Sequence, residues 1–263
     1  MSAFDAIIER RRARILSEYR ALSTADRERL ACCARAPRDF AGLLRDRPDV
    51  AIVAEVKKAS PSAGPIAPEC EASKQALHYE NGGAAAISVL TEPDFFGGSF
   101  TDLSDVSDAV SLPVLCKDFV VDPVQLFVAR GHGADAVLLM CSVLGETLPS
   151  YLDLAATLGL TPLVEVIDSD ELAAAVRAGA RLIGVNARDF RTLGVDLEAQ
   201  RELVAEAASS GATVVAASGI TRRSDVEAAA SAGAHAVLVG ETLMRAPFPE
   251  EVLEDMTGVT RRP

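Results

Sequence analysis

Residues 233–240 read GAHAVLVG, and the same order of glycine, alanine and apolar run recurs along the chain. Glycine suits the left-handed residue that closes a helix, and an unbroken apolar run is typical of a parallel strand buried on both faces. The pattern therefore predicts repeated helix-to-strand junctions. Its other occurrences are GGAAAISVL at 82–90, GADAVLLM at 133–140, GARLIGV at 179–185 and GATVVAAS at 211–218.

Three more apolar runs have the length of a strand: VAIVAEV at 50–56, LPVLCK at 112–117 and TPLVEV at 161–166. Segments long enough for one helix separate the runs. Alternating strand and helix units predict a parallel sheet with right-handed crossovers, and eight units fit a closed (β/α)8 TIM barrel of the α/β class, which needs about 250 residues. An open doubly wound sheet is the alternative, but KKASPSAG at 57–64 lacks the GxGxxG loop expected after its first strand.

Residues 1–48 do not follow this strand and helix unit. Apolar residues at helical spacing predict two helices there, around 3–20 and 24–33. No Gly/Ser-rich linker follows them. We therefore expect a single domain in which an N-terminal helical extension, residues 1–48, packs on a barrel of residues 49–263.

The composition argues against several classes of protein. A formal net charge of −12 argues against a nucleic-acid partner. No apolar run approaches the roughly 18 residues of a membrane-spanning helix, and the N-terminus has no signal-peptide core, so we expect a cytoplasmic protein with no membrane partner. The 5 cysteines form no Cys-x-x-Cys pair and only 3 histidines are present, so we expect reduced, mostly buried thiols and no metal.

Charged and polar residues stand at the carboxyl ends of the predicted strands. Glu55 and Lys57 flank an apolar residue, so both point to one face of their strand. Charges in a buried strand are costly unless they are paired or used, and barrels of this class build their chemistry at these ends. We expect an acid–base set, with structural ion pairs as the alternative. The strand ends carry Glu55, Lys57, Lys117, Glu165, Asn186 and Arg188.

Two predicted turns suit an anion. SGIT at 218–221 and GET at 240–242 each join a strand end to a predicted helix start, where backbone N–H groups and the helix dipole favour negative charge. A phosphate site after the seventh and eighth strands is frequent in these barrels. We therefore expect a small, anionic, phosphorylated substrate.

Two further segments allow simple predictions. TEPDFFGGSF at 91–100 is an aromatic, glycine-bearing loop that suits covering an aromatic or apolar ligand, with ordinary loop packing as the alternative. RRRAR at 10–14 lies on a predicted helix between acidic residues, which predicts a solvated face.

Cys116 points away from Lys117 in a strand, which predicts a packed thiol and not a nucleophile.

Taken together, the motifs resemble the indole-3-glycerol phosphate synthase family of tryptophan biosynthesis. The resemblance runs in order from about residue 4 to 255 and includes the N-terminal extension. EVKKASPS and KDF are its most specific parts, whereas SGI and VGE are shared with other phosphosugar barrels. The motifs are AEVKKASPSAG at 54–64, SVLTEPDFFGGS at 88–99, LPVLCKDFVVDPVQ at 112–125, LVEV at 163–166, GVNARD at 184–189, SGI at 218–220 and AVLVGETLM at 236–244.

The resemblance implies a lyase, needing no cofactor, that closes the indole ring of 1-(2-carboxyphenylamino)-1-deoxyribulose 5-phosphate with loss of carbon dioxide and water. By motif position, Lys117 resembles the general acid that protonates the ketone. Glu165 resembles the carboxylate of the later proton transfer, and Lys57 a second lysine that assists dehydration. Glu55 would hold these charges and Asn186 would steady the substrate. The matching implies catalytic roles for Lys117, Glu165, Lys57, Glu55, Asn186 and Ser218, substrate contacts for Ser60, Phe96, Phe119 and Arg188, and phosphate contacts for Gly219, Gly240 and Glu241.

The chain departs from the family at two motif positions. Ala217 stands where the family usually has the glutamate of E-S-G-I, and Cys116 stands where R-K-D-F is more common. Loss of an acid leads us to expect slower ring closure or a somewhat different substrate.

Two other functions remain open at this point. They are a biosynthetic paralogue acting on a related arylamino sugar phosphate, and a catalytically impaired phosphate-binding barrel. A phosphoribosyl isomerase would not explain the two lysines beside Glu55 and Glu165. We expect a monomer, with a homodimer as the alternative.

Overall fold

Parallel strands close into a barrel in the computed structural model, which describes residues 3–32, 34–188 and 194–261. Within these ranges the barrel strands are β1 (Ala51–Val56), β2 (Ala86–Leu90), β3 (Val114–Lys117), β4 (Ala136–Met140), β5 (Thr161–Val166), β6 (Leu182–Asn186), β7 (Thr213–Ala217) and β8 (Ala236–Val239). Each strand pairs with its neighbours in sequence, and β1 pairs with both β2 and β8. The predicted TIM barrel is confirmed, and the open doubly wound sheet is excluded.

Helices precede the barrel, as predicted, but with one addition. The described residues before β1 form α1 (Ala3–Tyr19), α2 (Thr24–Cys32) and α3 (Phe40–Arg45). The last of these was not predicted, because six residues are too few to show helical periodicity. The Asp39 carboxylate caps α3 by accepting a hydrogen bond from the Gly42 N–H at 2.8 Å. Phe40 and Leu44 are fully buried among the alanines that begin the strands, so α3 closes the amino end of the barrel.

The remaining helices alternate with the strands and cover the outside of the barrel. Helix starts are capped by side chains such as Ser99 and Asp168, which accept hydrogen bonds from backbone N–H groups of the first turn. The helices are α4 (Ala72–Asn81), α5 (Phe100–Ala109), α6 (Val124–Gly131), α7 (Cys141–Leu144), α8 (Leu148–Thr157), α9 (Ser169–Arg177), α10 (Leu197–Ser209), α11 (Arg223–Ser231), α12 (Glu241–Arg245) and α13 (Pro249–Met256). None in the described ranges is long and apolar enough to cross a membrane.

Each strand buries both of its faces, which explains the unbroken apolar runs. In β1, Ile52 and Val56 pack outward in the cluster beneath the helices, whereas Val53 packs inward with the barrel interior. Glu55 shares the inward face of Val53 because strand side chains alternate. The alternation that builds the core therefore also directs this carboxylate into the barrel.

The loop after β1 contains a small antiparallel hairpin of two strands, Ala59–Ser60 and Gly64–Pro65. The hairpin is tied to the loop after β2, since the Ala59 N–H donates to the Phe96 carbonyl at 3.1 Å. Ser60 is buried, and its hydroxyl accepts a hydrogen bond from the Ala63 N–H. Neither hairpin strand was predicted, because each pairs for only two residues.

The prediction of a solvated arginine face on α1 is wrong for one residue of RRRAR. Arg11 is only 1% exposed and lies in the buried stripe that Phe4, Ile7 and Ile15 form along α1. Its spacing of four residues from Ile7 and from Ile15 places it on that stripe. The guanidinium is accommodated there because the barrel supplies a buried carboxylate, Asp118.

The thiols are free in the described residues. Cys116 and Cys141 are buried as expected, Cys70 is half-buried and Cys32 is exposed. Cys33 lies outside the described residues. Burial, with the negative charge of Asp118, raises the pKa of the Cys116 thiol to about 12, which fits the predicted packed thiol.

Candidate active site

A cavity of about 430 Å³ opens at the carboxyl ends of the strands. Every residue singled out from the sequence for catalysis, substrate binding or phosphate binding lines this one cavity. These residues are Glu55, Lys57, Ser60, Phe96, Lys117, Phe119, Glu165, Asn186, Arg188, Ser218, Gly219, Gly240 and Glu241. The last residue of the GVNARD motif, position 189, lies outside the described residues.

Two lysine–glutamate pairs occupy the interior of the mouth. Lys57 Nζ lies 3.1 Å from Glu55 Oε1, and Lys117 Nζ lies 3.3 Å from Glu165 Oε2. The Ser88 hydroxyl donates to the second oxygen of Glu55 at 3.2 Å. Both carboxylates are almost fully buried, and each ammonium has one of them as its counter-charge. The pairs therefore carry no net charge before a ligand binds.

Ala217 belongs to the same layer of side chains as these groups. The strands are tilted, so residues at one height along the barrel axis lie two positions further along the chain than the direct hydrogen-bonding register for every two strands passed. This shift places Glu55, Lys117, Glu165 and Ala217 at the same height. Such layers of four, from alternate strands, are how TIM barrel interiors are filled. Ala217 contributes only a methyl group to a layer whose other three members are ionisable.

A hydrogen-bond chain orients Glu165 from the neighbouring strands. Asn186 Nδ2 donates to Glu165 Oε1 at 3.1 Å. Asn186 Oδ1 accepts from the Ser218 hydroxyl at 2.7 Å and from the Arg188 N–H at 3.0 Å. Because the amide oxygen has two donors, its nitrogen is held toward Glu165. Both carboxylate oxygens of Glu165 are thereby engaged, one by the amide and one by Lys117.

Lys117 is held as an ammonium. Burial disfavours its charged form, but the negative charges of Glu165 and Glu55 and the hydrogen bond to Glu165 outweigh burial and raise the pKa above that of an ordinary lysine. A firmly protonated lysine can donate a proton or stabilise a developing oxyanion. It does not suit attack as a neutral amine.

The turn after β7 has an unusual backbone. Ser218 and Gly219 both have positive φ, 69° and 76°. This conformation is uncommon for serine, and strain of this kind clusters at functional sites. A side chain at Gly219 would also collide with Leu197, since a Cβ there would lie 2.4 Å from Leu197 Cδ2. Backbone N–H groups in such turns can form a concave site for an anion.

The turn after β8 brings the backbone close to a lysine–glutamate pair. A Cβ added at Gly240 would lie 2.7 Å from Glu55 Oε1 and 3.0 Å from Lys57 Nζ, so glycine leaves the room that this pair needs. The following Glu241 points its carboxylate to Arg245, whose Nε is 2.9 Å away. The carboxylate beside the expected anion site is thus compensated by a cation.

An aromatic wall borders the cavity. Phe96 and Phe119 pack with ring centroids 5.9 Å apart, and Phe4 of α1 packs on Phe119 at 6.1 Å. The loop that carries Phe96 is folded around the buried carboxylate of Glu92. That carboxylate accepts hydrogen bonds from the N–H groups of residues 94, 95 and 96 at 2.9, 2.7 and 3.1 Å. The loop is therefore a preformed part of the cavity wall.

Sequence reasoning missed part of the lining. The missed residues include an apolar floor, an arginine and a buried aspartate. The floor residues lie on the inward faces of the strands, so the period-two alternation that placed Glu55 inside could have found them. The missed residues are Leu90, Leu138, Met140, Leu238, Arg245 and Asp118.

The comparison with known proteins agrees with this geometry. The family model described as indole-3-glycerol phosphate synthase matches residues 4–256. The chain is 43% identical over 263 residues to the indole-3-glycerol phosphate synthase of Mycobacterium avium (strain 104), covering 100% of this chain and 96% of the relative. It is 43% identical over 264 residues to indole-3-glycerol phosphate synthase 1 of Streptomyces coelicolor, covering 100% of this chain and 97% of the relative.

A solved structure shares the fold at low sequence identity. Thiamine phosphate pyrophosphorylase from Pyrococcus furiosus superposes with a TM-score of 0.57 and 19% identity, covering 79% of this chain and 93% of that chain. At this identity the likeness concerns the barrel alone. The family model and the full-length relatives decide the assignment, and the chain belongs to the indole-3-glycerol phosphate synthase family.

Proposed function

We propose that the protein converts 1-(2-carboxyphenylamino)-1-deoxyribulose 5-phosphate to indole-3-glycerol phosphate as a carboxy-lyase, a carbon–carbon lyase. The observation that carries the proposal is the buried Lys117–Glu165 pair at the mouth of the barrel. Ring closure needs a proton donor at a ketone and a base at the adjacent carbon. The pair holds one candidate for each role within a single cavity.

Lys117 acts in the first step. The ring carbon that bears the carboxylate attacks the ketone carbon, and the electron pair of the C=O bond moves to oxygen. The Lys117 ammonium gives its proton to this oxygen, so no free alkoxide forms. The bond to the carboxylate then breaks, carbon dioxide leaves, and its electron pair restores the aromatic ring.

Lys57 and Glu165 act in the dehydration. The new hydroxyl leaves as water when the Lys57 ammonium supplies a proton. Glu165 removes a proton from the carbon beside nitrogen, and the electron pair of that C–H bond forms the second double bond of the indole. Asn186 keeps the Glu165 carboxylate aimed, and Glu55 holds Lys57 at 3.1 Å until the hydroxyl is in place.

The remaining lining residues bind the two ends of the substrate. The turns at Ser218–Gly219 and Gly240–Glu241 receive the phosphate through backbone N–H groups. Lys57, Arg188 and Arg245 line the same cavity and offset the overall charge of −12 for an anionic ligand. The apolar floor suits the aryl ring, with Phe96, Phe119 and Ser60 as further contacts. No cofactor takes part in this scheme.

Further parts of the proposal concern organisation. The extension, residues 1–48, would be an integral part of one domain with the barrel, since Phe4 packs on Phe119 of the cavity wall. We propose a cytoplasmic monomer, with a homodimer as the alternative. Light scattering coupled to size-exclusion chromatography decides between the two assemblies.

One observation favours a second candidate. Ala217 leaves the barrel layer with one methyl group, where the motif that the chain resembles usually has a glutamate. A paralogue acting on a related arylamino sugar phosphate, or a binding barrel with impaired chemistry, would account for that change. Either would bind the proposed substrate without turning it over.

The test is indole fluorescence after the purified protein is mixed with the proposed substrate. We expect a rise in the wild type that disappears in Lys117→Ala and persists in Lys74→Ala. Lys74 is an exposed residue of α4, paired with Glu71, and serves as the matched control. Binding with no fluorescence rise in the wild type would reject the synthase and favour the second candidate.

A further inference from the structure

An arginine occupies the middle of the buried face of α1. Arg11 lies between Ile7 and Ile15 on that face, and it is 1% exposed. Burying a guanidinium is costly unless a partner satisfies it. The partner is Asp118, which is itself almost fully buried. Arg11 Nε donates to Asp118 Oδ1 at 2.9 Å, and the second arm of the guanidinium donates to Asp118 Oδ2.

Asp118 lies in the cavity wall, next to the proposed general acid. It directly follows Lys117 and precedes Phe119 in the KDF motif. The Thr91 hydroxyl also donates to Asp118 Oδ2, at 2.6 Å. Asp118 is therefore held from two sides, by α1 and by the residue that follows β2. Because Asp118 directly follows the last residue of β3, any movement of Asp118 displaces the strand end that carries Lys117.

The same guanidinium also lies beside Cys116. Residues 116 and 118 share one face of the strand because side chains alternate. The contacts of Thr91 agree with this placement, because its hydroxyl lies 3.5 Å from Cys116 Sγ and also donates to Asp118. Position 116 more often holds arginine in the motif that the chain resembles. In this chain position 116 is a cysteine, and the guanidinium beside it comes from Arg11 of α1 and not from a residue of β3.

We propose that Arg11 is a positioning residue for ring closure, acting on Lys117 through its bidentate ion pair with Asp118. The inference rests on the proposed function. Without Arg11, Asp118 becomes a buried carboxylate with no cationic partner, one residue from Lys117. The residue that directly follows Lys117 then loses its tie to α1 and shifts to find another partner. The end of β3 moves with it, and Lys117 leaves the direction needed to protonate the ketone.

Other contacts keep α1 docked when Arg11 changes. Phe4, Ile7 and Ile15 remain buried against the barrel. Arg14 forms a separate pair with Asp94 of the loop after β2, at 2.9 and 2.6 Å. Loss of the Arg11 guanidinium therefore removes one defined contact and leaves the helix in place.

The first experiment measures kinetics in three variants. Arg11→Met keeps the length and the apolar stem but removes the fork of donors. We expect kcat to fall by between about 10-fold and 100-fold, with KM within about threefold of the wild type. Arg11→Lys keeps the charge without the fork and should recover part of kcat. The double variant Arg11→Met/Cys116→Arg places a guanidinium on β3 in place of the one lost from α1. It should recover more of kcat than Arg11→Lys does.

Arg35→Met is the matched control for stability. Arg35 makes a similar two-pronged pair, at 2.8 Å, with fully buried Asp135, also joining the extension to the barrel. Asp135 precedes β4 and so lies at the amino end, away from the cavity. We expect Arg35→Met to lower the melting temperature while kcat stays unchanged. A kcat loss in Arg11→Met no greater than that in Arg35→Met would overturn the proposal.

A second measurement does not depend on turnover. Lys57, Lys58, Lys74 and Lys117 are the only lysines of the sequence, so lysine 13Cε signals can be resolved and assigned by Lys→Arg variants. We expect the Lys117 signal to move in Arg11→Met and to return toward its place in the double variant, with Lys74 unchanged.

The two measurements separate this inference from the proposed function. An unmoved Lys117 signal in both Arg11→Met and Arg11→Lys rejects positioning, whatever the activity. A second outcome is a wild type that forms no indole product while the Lys117 signal still moves in Arg11→Met. That outcome rejects the proposed reaction and retains the positioning of Lys117 by Arg11.

Discussion

Lys117 Nζ lies 3.3 Å from Glu165 Oε2, across the interior of the barrel from β3 to β5. The two residues are 48 positions apart in the chain, and each comes from the carboxyl end of its own strand. Their pairing raises the pKa of Lys117 despite its burial. The position of one carboxylate therefore sets the protonation state of the proposed general acid.

The titration of Lys117 should depend on Glu165. A raised pKa means that the ammonium persists as the pH rises past the ordinary lysine value of about 10.4 and is lost only above it. Glu165→Gln removes the largest opposing charge, so burial prevails and the pKa of Lys117 should fall. The measurement is the 13Cε titration of Lys117. Asp102→Asn, which unpairs Lys58, should leave the Lys117 midpoint in place, and an equal response to both changes would contradict the assignment.

Ala217→Glu should raise kcat/KM. The change places a third carboxylate in the layer that Ala217 shares with Glu55, Lys117 and Glu165, where it can take part in proton transfer to or from the substrate. We expect a gain of about tenfold or more if the native chain is slowed by the missing acid. Ala217→Gln has nearly the same shape without the charge and should give no gain. An unchanged or lower kcat/KM for Ala217→Glu would show that the alanine is not a deficit.

Gly219→Ala should weaken substrate binding. Alanine is strained at the positive φ of Gly219, and its methyl group also displaces the side chain of Leu197, so the substitution disturbs the turn. We expect KM to rise by about tenfold, equivalent to about 1.4 kcal/mol of binding free energy, with a smaller change in kcat.

Gly211→Ala is the control for that change. Gly211 also has positive φ, 81°, and a Cβ there meets nothing within 4 Å. It should carry a similar backbone cost in stability with no effect on KM. Equal KM values for the two variants would argue against a role of the turn at Gly219 in holding the phosphate.

Asp135→Leu should lower stability without altering chemistry. The fully buried Asp135 carboxylate accepts hydrogen bonds from the Arg35 guanidinium and from the N–H groups of Arg38 and Val114. Its loss leaves a guanidinium and two N–H groups without their acceptor, so we expect the free energy of unfolding to fall by about 3–5 kcal/mol. Urea denaturation measures the fall. A drop in kcat at 25 °C, where the variant is still folded, would contradict the placement of Asp135 away from the cavity.

Much of the fold could be predicted from local patterns. The glycine, alanine and apolar junctions mark the strands because each is a short, continuous stretch that carries its own periodicity. The polar residues at strand ends could also be found, since side chains alternate along a strand whatever it pairs with. This is why Glu55 and Lys57 were assigned to one face before any partner strand was known.

Other features depend on distant parts of the chain. α3 is too short for a periodic signal, and its helix is stabilised by burying Phe40 and Leu44 at the amino end of the barrel. Arg245 lines the cavity from the last residue of α12, and nothing in the local pattern distinguishes it from an arginine facing solvent.

The amino-acid sequence by itself determined the barrel, the strand ends and the set of residues that could form a site. Only the tertiary structure decided which charges are paired and which helix faces are buried. Arg11 shows the difference, because its partner Asp118 lies 107 positions away along the chain. A run of arginines on a helix has the same local pattern whether it faces water or a buried carboxylate. The folded barrel alone brings that carboxylate within hydrogen-bond distance.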